Sequence, residues 1–519
     1  MHTLRLERRR ALALAGAVLV GSAASAAAQH PAAANASAGS NPPGSDHAAK
    51  PPAEGSSRKL PAPVTTQHVL NLPNRVLRFS ATAGAISLTA GEKHAPLADI
   101  AFIAYELDGA DRNHRPVTFV FNGGPGFASA WLQLGAVGPW RIPLGGRTTS
   151  PSETPEPAPN PDTWLDFTDL VFIDPAGTGY SQVLVSGEEA RQRLWSVRGD
   201  IAYLADTIRQ WIDRYERALS PKYILGESYG GFRAPRLTHE LTTKYGTGVR
   251  GIALVSPALE LPGHNETFDP FYYVAGLPSM TAAARALHGD VTRQQLADVE
   301  HYAATEFLVD VVRGERDPAA VERRSARVAA FTGLDPQLVR RHNGLIDNDV
   351  FLHALYRTHG RVGSVYDATI SDGNPYPLQS LGNAPDPILD GLQAPVSSAM
   401  VAIYESRLRW RPETTYNLGN MAIAHQWQWE QSFGSQPQSL DALRNALALD
   451  PNFRVLIGQG LYDLVVPYFR TQLILDQIPA SVGMDRVHFA VHPGGHMFYM
   501  NDASRAALRD NATALYRAA

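Results

Sequence analysis

Gly226-Glu227-Ser228-Tyr229-Gly230 follows the apolar run KYIL at 222 to 225 and precedes a stretch, GFRAPRLTHELTTKY, that reads as a helix. Small residues around a serine at a strand-to-helix junction permit a tight, strained turn that lifts the hydroxyl to the carboxyl edge of a sheet. A serine hydroxyl is a poor nucleophile until a base takes its proton, so a histidine and an orienting acid are expected further along, in the order Ser, Asp, His. Asp463 lies just past the apolar run RVLIGQG at 454 to 460, at the same sheet edge, and His496 lies in a Gly-rich loop after VHFAVH at 487 to 492. Ser228 is thus expected as nucleophile, His496 as base and Asp463 as the acid that orients it. Asn122-Gly123-Gly124-Pro125-Gly126 ends the run VTFVFN at 117 to 122, and its glycines let backbone N–H groups approach a reacting carbonyl. Gly124 N–H and Tyr229 N–H are the expected oxyanion donors. His488, His492 and His496 recur every four residues, as on a metal-binding helix, but Pro493, Gly494 and Gly495 would break that helix, so no metal and no other cofactor is expected.

The elements that must position these residues are legible as apolar runs bounded by turns: VTFVFN, DLVFID at 169 to 174, KYILG, GIALVS at 251 to 256 and RVLIGQG. Such runs suit strands buried on both faces of a mostly parallel sheet. Between them lie helical patterns, notably 197 to 218, where Val197, Ile201, Leu204, Ile208, Trp211, Ile212 and Tyr215 recur at spacings of three or four. The alternation predicts a doubly wound α/β fold. Upstream, RFSATAGAISLTA at 78 to 90 reads as two short strands around a Gly turn, and DIAFIAYEL at 99 to 107 as another strand, suggesting an antiparallel start. Residues 266 to 449 break the rhythm with helix-like stretches such as LADVEHYAATEFLVDVVRG. They are read as an inserted, largely helical cap between the first part of the core, 65 to 265, and its last part, 450 to 519.

The 519 residues carry 46 Lys+Arg against 50 Asp+Glu, a net charge of -4, and no cysteine. Disulfides, thiolate metal sites and cysteine nucleophiles are thereby excluded. A near-neutral balance without a basic run in the body argues against nucleic acid as a partner. Only Lys50, Lys59, Lys93, Lys222 and Lys244 are lysines; the bias toward arginine runs through the whole chain, so no single arginine is given weight as an anion ligand. At the amino terminus Arg5, Arg8, Arg9 and Arg10 precede the apolar stretch ALALAGAVLV and small residues through Ala28. That order is a secretory signal peptide over 1 to 28, too short in its apolar part to span a bilayer. Residues 29 to 64, rich in Pro, Ala and Ser, read as a flexible linker. An exported protein without a membrane anchor after cleavage is expected.

With NGGPG at 122, DPAGTGYS at 174, GESYGG at 226, the G-x-x-D of 460 to 463 and GGHM at 494 in one order, the chain resembles the serine carboxypeptidases, peptidase family S10. The resemblance runs from about residue 98 to the end. It implies an α/β-hydrolase fold and removal of carboxy-terminal residues from peptides or proteins. It also implies that Asn122, Gly123 and Glu227 bind the substrate's free carboxylate and that Met497 lines the leaving-group side. Three features depart from the family pattern. Val120-Phe121-Asn122 stands where many members read W-L-N, Ala136 stands where a second Glu is often found, and the family's disulfides are missing. An esterase, an acyltransferase or a noncatalytic peptide-binding protein are the alternatives, since an elbow and a triad do not identify the acyl group.

Overall fold

A computed structural model describes residues 60–143, 150–261, 268–378, 384–430 and 437–518. The expected signal peptide, and all but the last residues of the expected linker, lie outside them. The main sheet has ten strands: β1 (Val64–Leu72), β2 (Arg75–Ala90), β3 (Ala95–Leu107), β4 (Val117–Phe121), β5 (Asp169–Ile173), β6 (Gln182–Val183), β7 (Lys222–Glu227), β8 (Gly251–Val255), β9 (Arg454–Gly460) and β10 (Val487–His492). Their order is β1-β2-β3-β5-β4-β7-β8-β9-β10, with β6 paired to β3. The first three strands are antiparallel to their neighbours, whereas β5, β4, β7, β8, β9 and β10 run parallel.

Every residue of β4, β5, β7 and β8 is buried, as continuous apolar runs require of strands covered on both faces. Side chains still alternate between two cores. Val120, Leu170 and Leu225 join Trp131, Val396 and Leu508 on one face. Phe119, Val171 and Ile224 join residues of helices α1 (Val197–Arg214), α2 (Tyr229–Tyr245) and α3 (Leu440–Leu449) on the other. Ser196 caps α1 by accepting from Gly199 N, and Gly246 ends α2 in the left-handed conformation, φ 61°.

One expectation is corrected. Residues 78 to 90 form one continuous strand, in which Gly84 pairs with Phe102 of β3. Gly84 serves close approach rather than a turn: a Cβ there would lie 2.8 Å from the Cβ of Pro63. The helix read at 197 to 218 ends at Arg214.

Between β8 and β9 the described residues are mostly helical, with two three-residue strands among them, Arg361–Gly363 and Ser371–Gly373. This stretch does not pack as one body. Val274 to Leu352 build a third core with Leu461, Tyr462, Leu464, Tyr468 and Phe469. Ile388 to Leu418 join the core beside β1, β2 and β3. The sheet order reverses at β4, with β5 on one side and β7 on the other, and in open α/β sheets such a switch point, here the carboxyl ends of β4 and β7, is where ligands bind.

Candidate active site

Asn122 follows β4 and Ser228 follows β7, two strands paired up to Phe121 and Gly226. Ser228 has φ 58° and ψ -121°, a strained conformation for a non-glycine residue. Its neighbours over-determine it: Ser228 N donates to Val255 O at 2.9 Å, and Ser228 O accepts from Gly231 N at 2.9 Å and Ala258 N at 3.2 Å. Two glycines make room for the turn. A Cβ on Gly226 would lie 2.0 Å from Gly230 O, and one on Gly230 would lie 2.6 Å from Phe121 O. Ser228 is partly exposed, and among the described residues its hydroxyl takes no hydrogen bond.

The loop after β4 presses on this turn. A Cβ on Gly123 would sit 2.6 Å from Tyr229 N, and Gly124 and Gly126 hold φ of 108° and 106°, values that only glycine adopts freely. Among the described residues neither Gly124 N–H nor Tyr229 N–H donates to a protein acceptor, so both amides remain available at the carboxyl edge of the sheet. Residues of the helical stretch hold the loop from outside, through Asn420 N to Gly126 O at 2.8 Å and Ala128 N to Leu418 O at 2.9 Å.

Asp463 and His496 meet. Nδ1 of His496 lies 2.8 Å from Oδ2 of Asp463, and the other oxygen of Asp463 accepts from Val465 N and Val466 N at 2.8 and 2.9 Å. Both side chains are buried, and the ring keeps its Nε2 for another partner. The backbone of His496 is held on both sides: its N–H donates to Tyr366 O at 2.5 Å, and its carbonyl accepts from Ser256 Oγ at 2.8 Å. Burial lowers the His496 pKa, but the charge and hydrogen bond of Asp463, with the charge of Glu227, outweigh it and leave it raised. Met497, next in the chain, is buried in the main core.

Glu227 is 3% exposed and accepts from Asn122 Nδ2 at 2.7 Å, both on Oε2 and beside a second donor, Tyr499 OH, at 2.8 Å. Burial is the main cause that pushes Glu227 up to about 7; the His496 charge and the two hydrogen bonds pull the other way. Asn122 is held from two further sides, while its Nδ2 gives one of its two hydrogens to Glu227. Its Oδ1 accepts from Leu132 N at 3.0 Å and its carbonyl from Arg233 Nη1 at 2.6 Å.

Four residues here were not singled out from the sequence. Tyr499 lies three positions beyond His496, in a turn that packs against 133–137, the turn carrying Ala136. Arg233 is fully buried on α2 and pairs with buried Asp200 of α1 at 2.6 Å. Tyr366 sets its ring edge-on to His496, centroids 5.7 Å apart. A short offset from His496 could have drawn attention to Tyr499; nothing in the spacing marks Arg233, Asp200 or Tyr366.

A mostly parallel sheet, a tight serine turn beside its switch point and an acid–histidine pair at the ends of the next strands make an α/β-hydrolase fold. The family model described as serine carboxypeptidase matches residues 100–306. Serine carboxypeptidase-like 36 of Arabidopsis thaliana is 26% identical over 208 residues, 38% of this chain and 37% of that one. Serine carboxypeptidase 1 of Hordeum vulgare is 32% identical over 160 residues, 30% and 29% of the two chains. The pheromone-processing carboxypeptidase kex1 of Schizosaccharomyces pombe is 27% identical over 181 residues, 34% and 32%. The chain therefore matches about a third of the length of these relatives. Among solved structures, the prohormone-processing carboxypeptidase Kex1(delta)p of Saccharomyces cerevisiae aligns with a TM-score of 0.47 at 15% identity, covering 84% of this chain and 92% of that one. The chain is thus similar to the serine carboxypeptidases, most directly over residues 100–306.

Proposed function

We propose that the chain is an exported serine carboxypeptidase that releases the last residue of a peptide through an acyl-enzyme on Ser228. Ser228 Oγ attacks the last peptide carbonyl while His496 takes its proton on Nε2, and Asp463 keeps the ring oriented. The amides of Gly124 and Tyr229 hold the oxyanion. His496 then hands the proton to the leaving nitrogen, the C–N bond breaks, and the peptide remains as an ester on Ser228. Water, deprotonated by His496, releases it. Asn122, Gly123 and Glu227 hold the substrate carboxylate, with Met497 toward the leaving residue. This chemistry calls for no metal or organic cofactor. The observation that carries the reading is the buried Asn122–Glu227 pair, joined at 2.7 Å in the residue before Ser228.

Mass spectrometry of a peptide and of its carboxy-terminally amidated twin tests it. The free peptide should lose single residues from its end and the twin should react far more slowly; equal rates, or internal cuts, would favour an esterase or endopeptidase. Ser228→Ala and His496→Ala should each lower kcat by several orders of magnitude, with the double variant little worse, because the pair acts as one unit. An organophosphonate that fails to label Ser228 would point to a noncatalytic binder. No described helix is long and apolar enough to cross a membrane. Export is checked by sequencing the mature amino terminus, expected near Gln29.

A further inference from the structure

Where a second glutamate is often found in the family, this chain has Ala136, so Glu227 has no partner carboxyl from that turn. The side chain that meets Glu227 instead is Tyr499, fully buried and 2.8 Å from Oε2. The direction of this hydrogen bond follows from satisfaction of buried groups. Among the described residues Tyr499 OH touches only Glu227. If it accepted a proton from Glu227, its own hydrogen would be buried without an acceptor. Asn122 is fixed likewise: its Oδ1 accepts from Leu132 N, so its amino group must face Glu227. Both are therefore donors, and both point at the same oxygen.

We propose that Tyr499 is a positioning residue of the carboxylate site: with Asn122 it saturates Oε2 of Glu227, so that the carboxyl proton sits on Oε1 and is presented to the substrate. A carboxyl group that binds another carboxylate needs its hydrogen on the oxygen facing it; a proton on Oε2 would compete with two donors already there. Tyr499 is itself held rigidly. Its carbonyl accepts from Arg505 Nη1 at 3.2 Å, and Arg505 pairs with Asp162 and Asp502. The inference rests on the reading of Asn122 and Glu227 as the substrate carboxylate site.

The groups facing Glu227 fix the sign of the pH effect. They are Asn122 after β4, Asp463 after β9, His496 and Tyr499 after β10, and Tyr366 from the helical stretch. Of these, Tyr499 favours the ionised carboxylate by donating to it. Tyr499→Phe should therefore move the alkaline limb of kcat/KM for a free-carboxylate peptide to higher pH. Below that limb it should lower kcat/KM about tenfold, mainly through KM, because a hydrogen-bonded contact remote from the reacting carbonyl is disturbed. A blocked ester of the same acyl group should keep its rate and its profile. An unmoved peptide limb, or an equal loss for peptide and ester, would overturn the proposal and leave Tyr499 a packing residue.

If Tyr499→Phe does not fold, 3-fluorotyrosine at 499 keeps the hydroxyl and makes it a stronger donor, so it should move the limb to lower pH; movement the other way, or none, overturns the assignment. The two readings fail separately. If wild-type protein cuts the free and amidated peptides equally fast, the carboxylate site itself is wrong. If it discriminates but neither change at 499 moves the limb, only the role of Tyr499 is wrong.

Discussion

Glu227 and His496 make opposite demands on pH in the proposed reaction. Glu227 must be protonated to donate to a substrate carboxylate, which fails as pH rises through a value near 7. His496 must be neutral to accept the serine proton, which fails as pH falls through its raised pKa. The acid limb is thus shifted up toward the alkaline limb near 7, so the peptide profile should be a bell centred near neutral pH. A bound substrate carboxylate adds a like charge beside Glu227, raises its pKa further and widens the window in kcat relative to kcat/KM. In Glu227→Gln the alkaline limb for peptides should disappear; a limb that persists unchanged would exclude Glu227 as its source. At this scale position past a strand end was the legible signal, and the structure brings two residues so marked, Asp463 and His496, together at 2.8 Å. Tyr499 was marked only by its nearness to His496 and Arg233 by nothing, because their partners lie 272 and 111 positions away and no local pattern encodes such a meeting.

Strand-length apolar runs and the serine turn were legible as elements because burial on two faces and close backbone packing leave a signature in residue type. β2 was misread because a glycine that admits a neighbour looks, in sequence, like one that turns the chain. How the helical stretch divides between cores was hidden, since that depends on which apolar faces meet and not on their spacing. Its segment 364–370 is an instance: Leu464 N donates to Val365 O at 3.1 Å, Ala368 N to Tyr462 O at 3.1 Å, and His496 N to Tyr366 O. One loop thus braces both the Asp463 and His496 turns. The glycines give a graded prediction. At Gly246, where a Cβ would meet nothing within 4 Å, alanine pays only for positive φ and should cost about 1–2 kcal/mol without altering activity. At Gly226 the added Cβ strikes backbone, which cannot swing aside, so Gly226→Ala should cost more than about 3 kcal/mol and displace Ser228. Denaturant unfolding and peptide hydrolysis of the two variants check this; equal costs would mean that the elbow is looser than its packing implies.

Across the molecule, buried arginines do the work that a chain without cysteine cannot give to disulfides. Arg217 is fully buried and joins Glu106 of β3 and Asp169 of β5, at 2.9 and 2.8 Å, to the connection before β7. Arg233 ties α2 to α1 through Asp200 and to the end of β4 through the Asn122 carbonyl, with its guanidinium 4.7 Å from the centre of the Tyr229 ring. An arginine bias spread over the whole sequence concealed these positions. Burial pushes the Asp200 carboxyl above its ordinary value even with Arg233 beside it, so the pair is held against a desolvation penalty. Replacing such a pair by apolar residues of similar size is often neutral, while removing one partner strands a charge at about 3–5 kcal/mol. Arg233→Met should therefore destabilise the fold by that amount and slow peptide cleavage. Adding Asp200→Leu should restore most of the stability, because no buried charge then lacks a partner. It should not restore the rate, because the Asn122 carbonyl still lacks the guanidinium that anchors the loop of Gly123 and Gly124. Chemical denaturation and kcat/KM on the single and double variants separate these effects; full recovery of both would mean that Arg233 stabilises the sheet and helices without steadying the site.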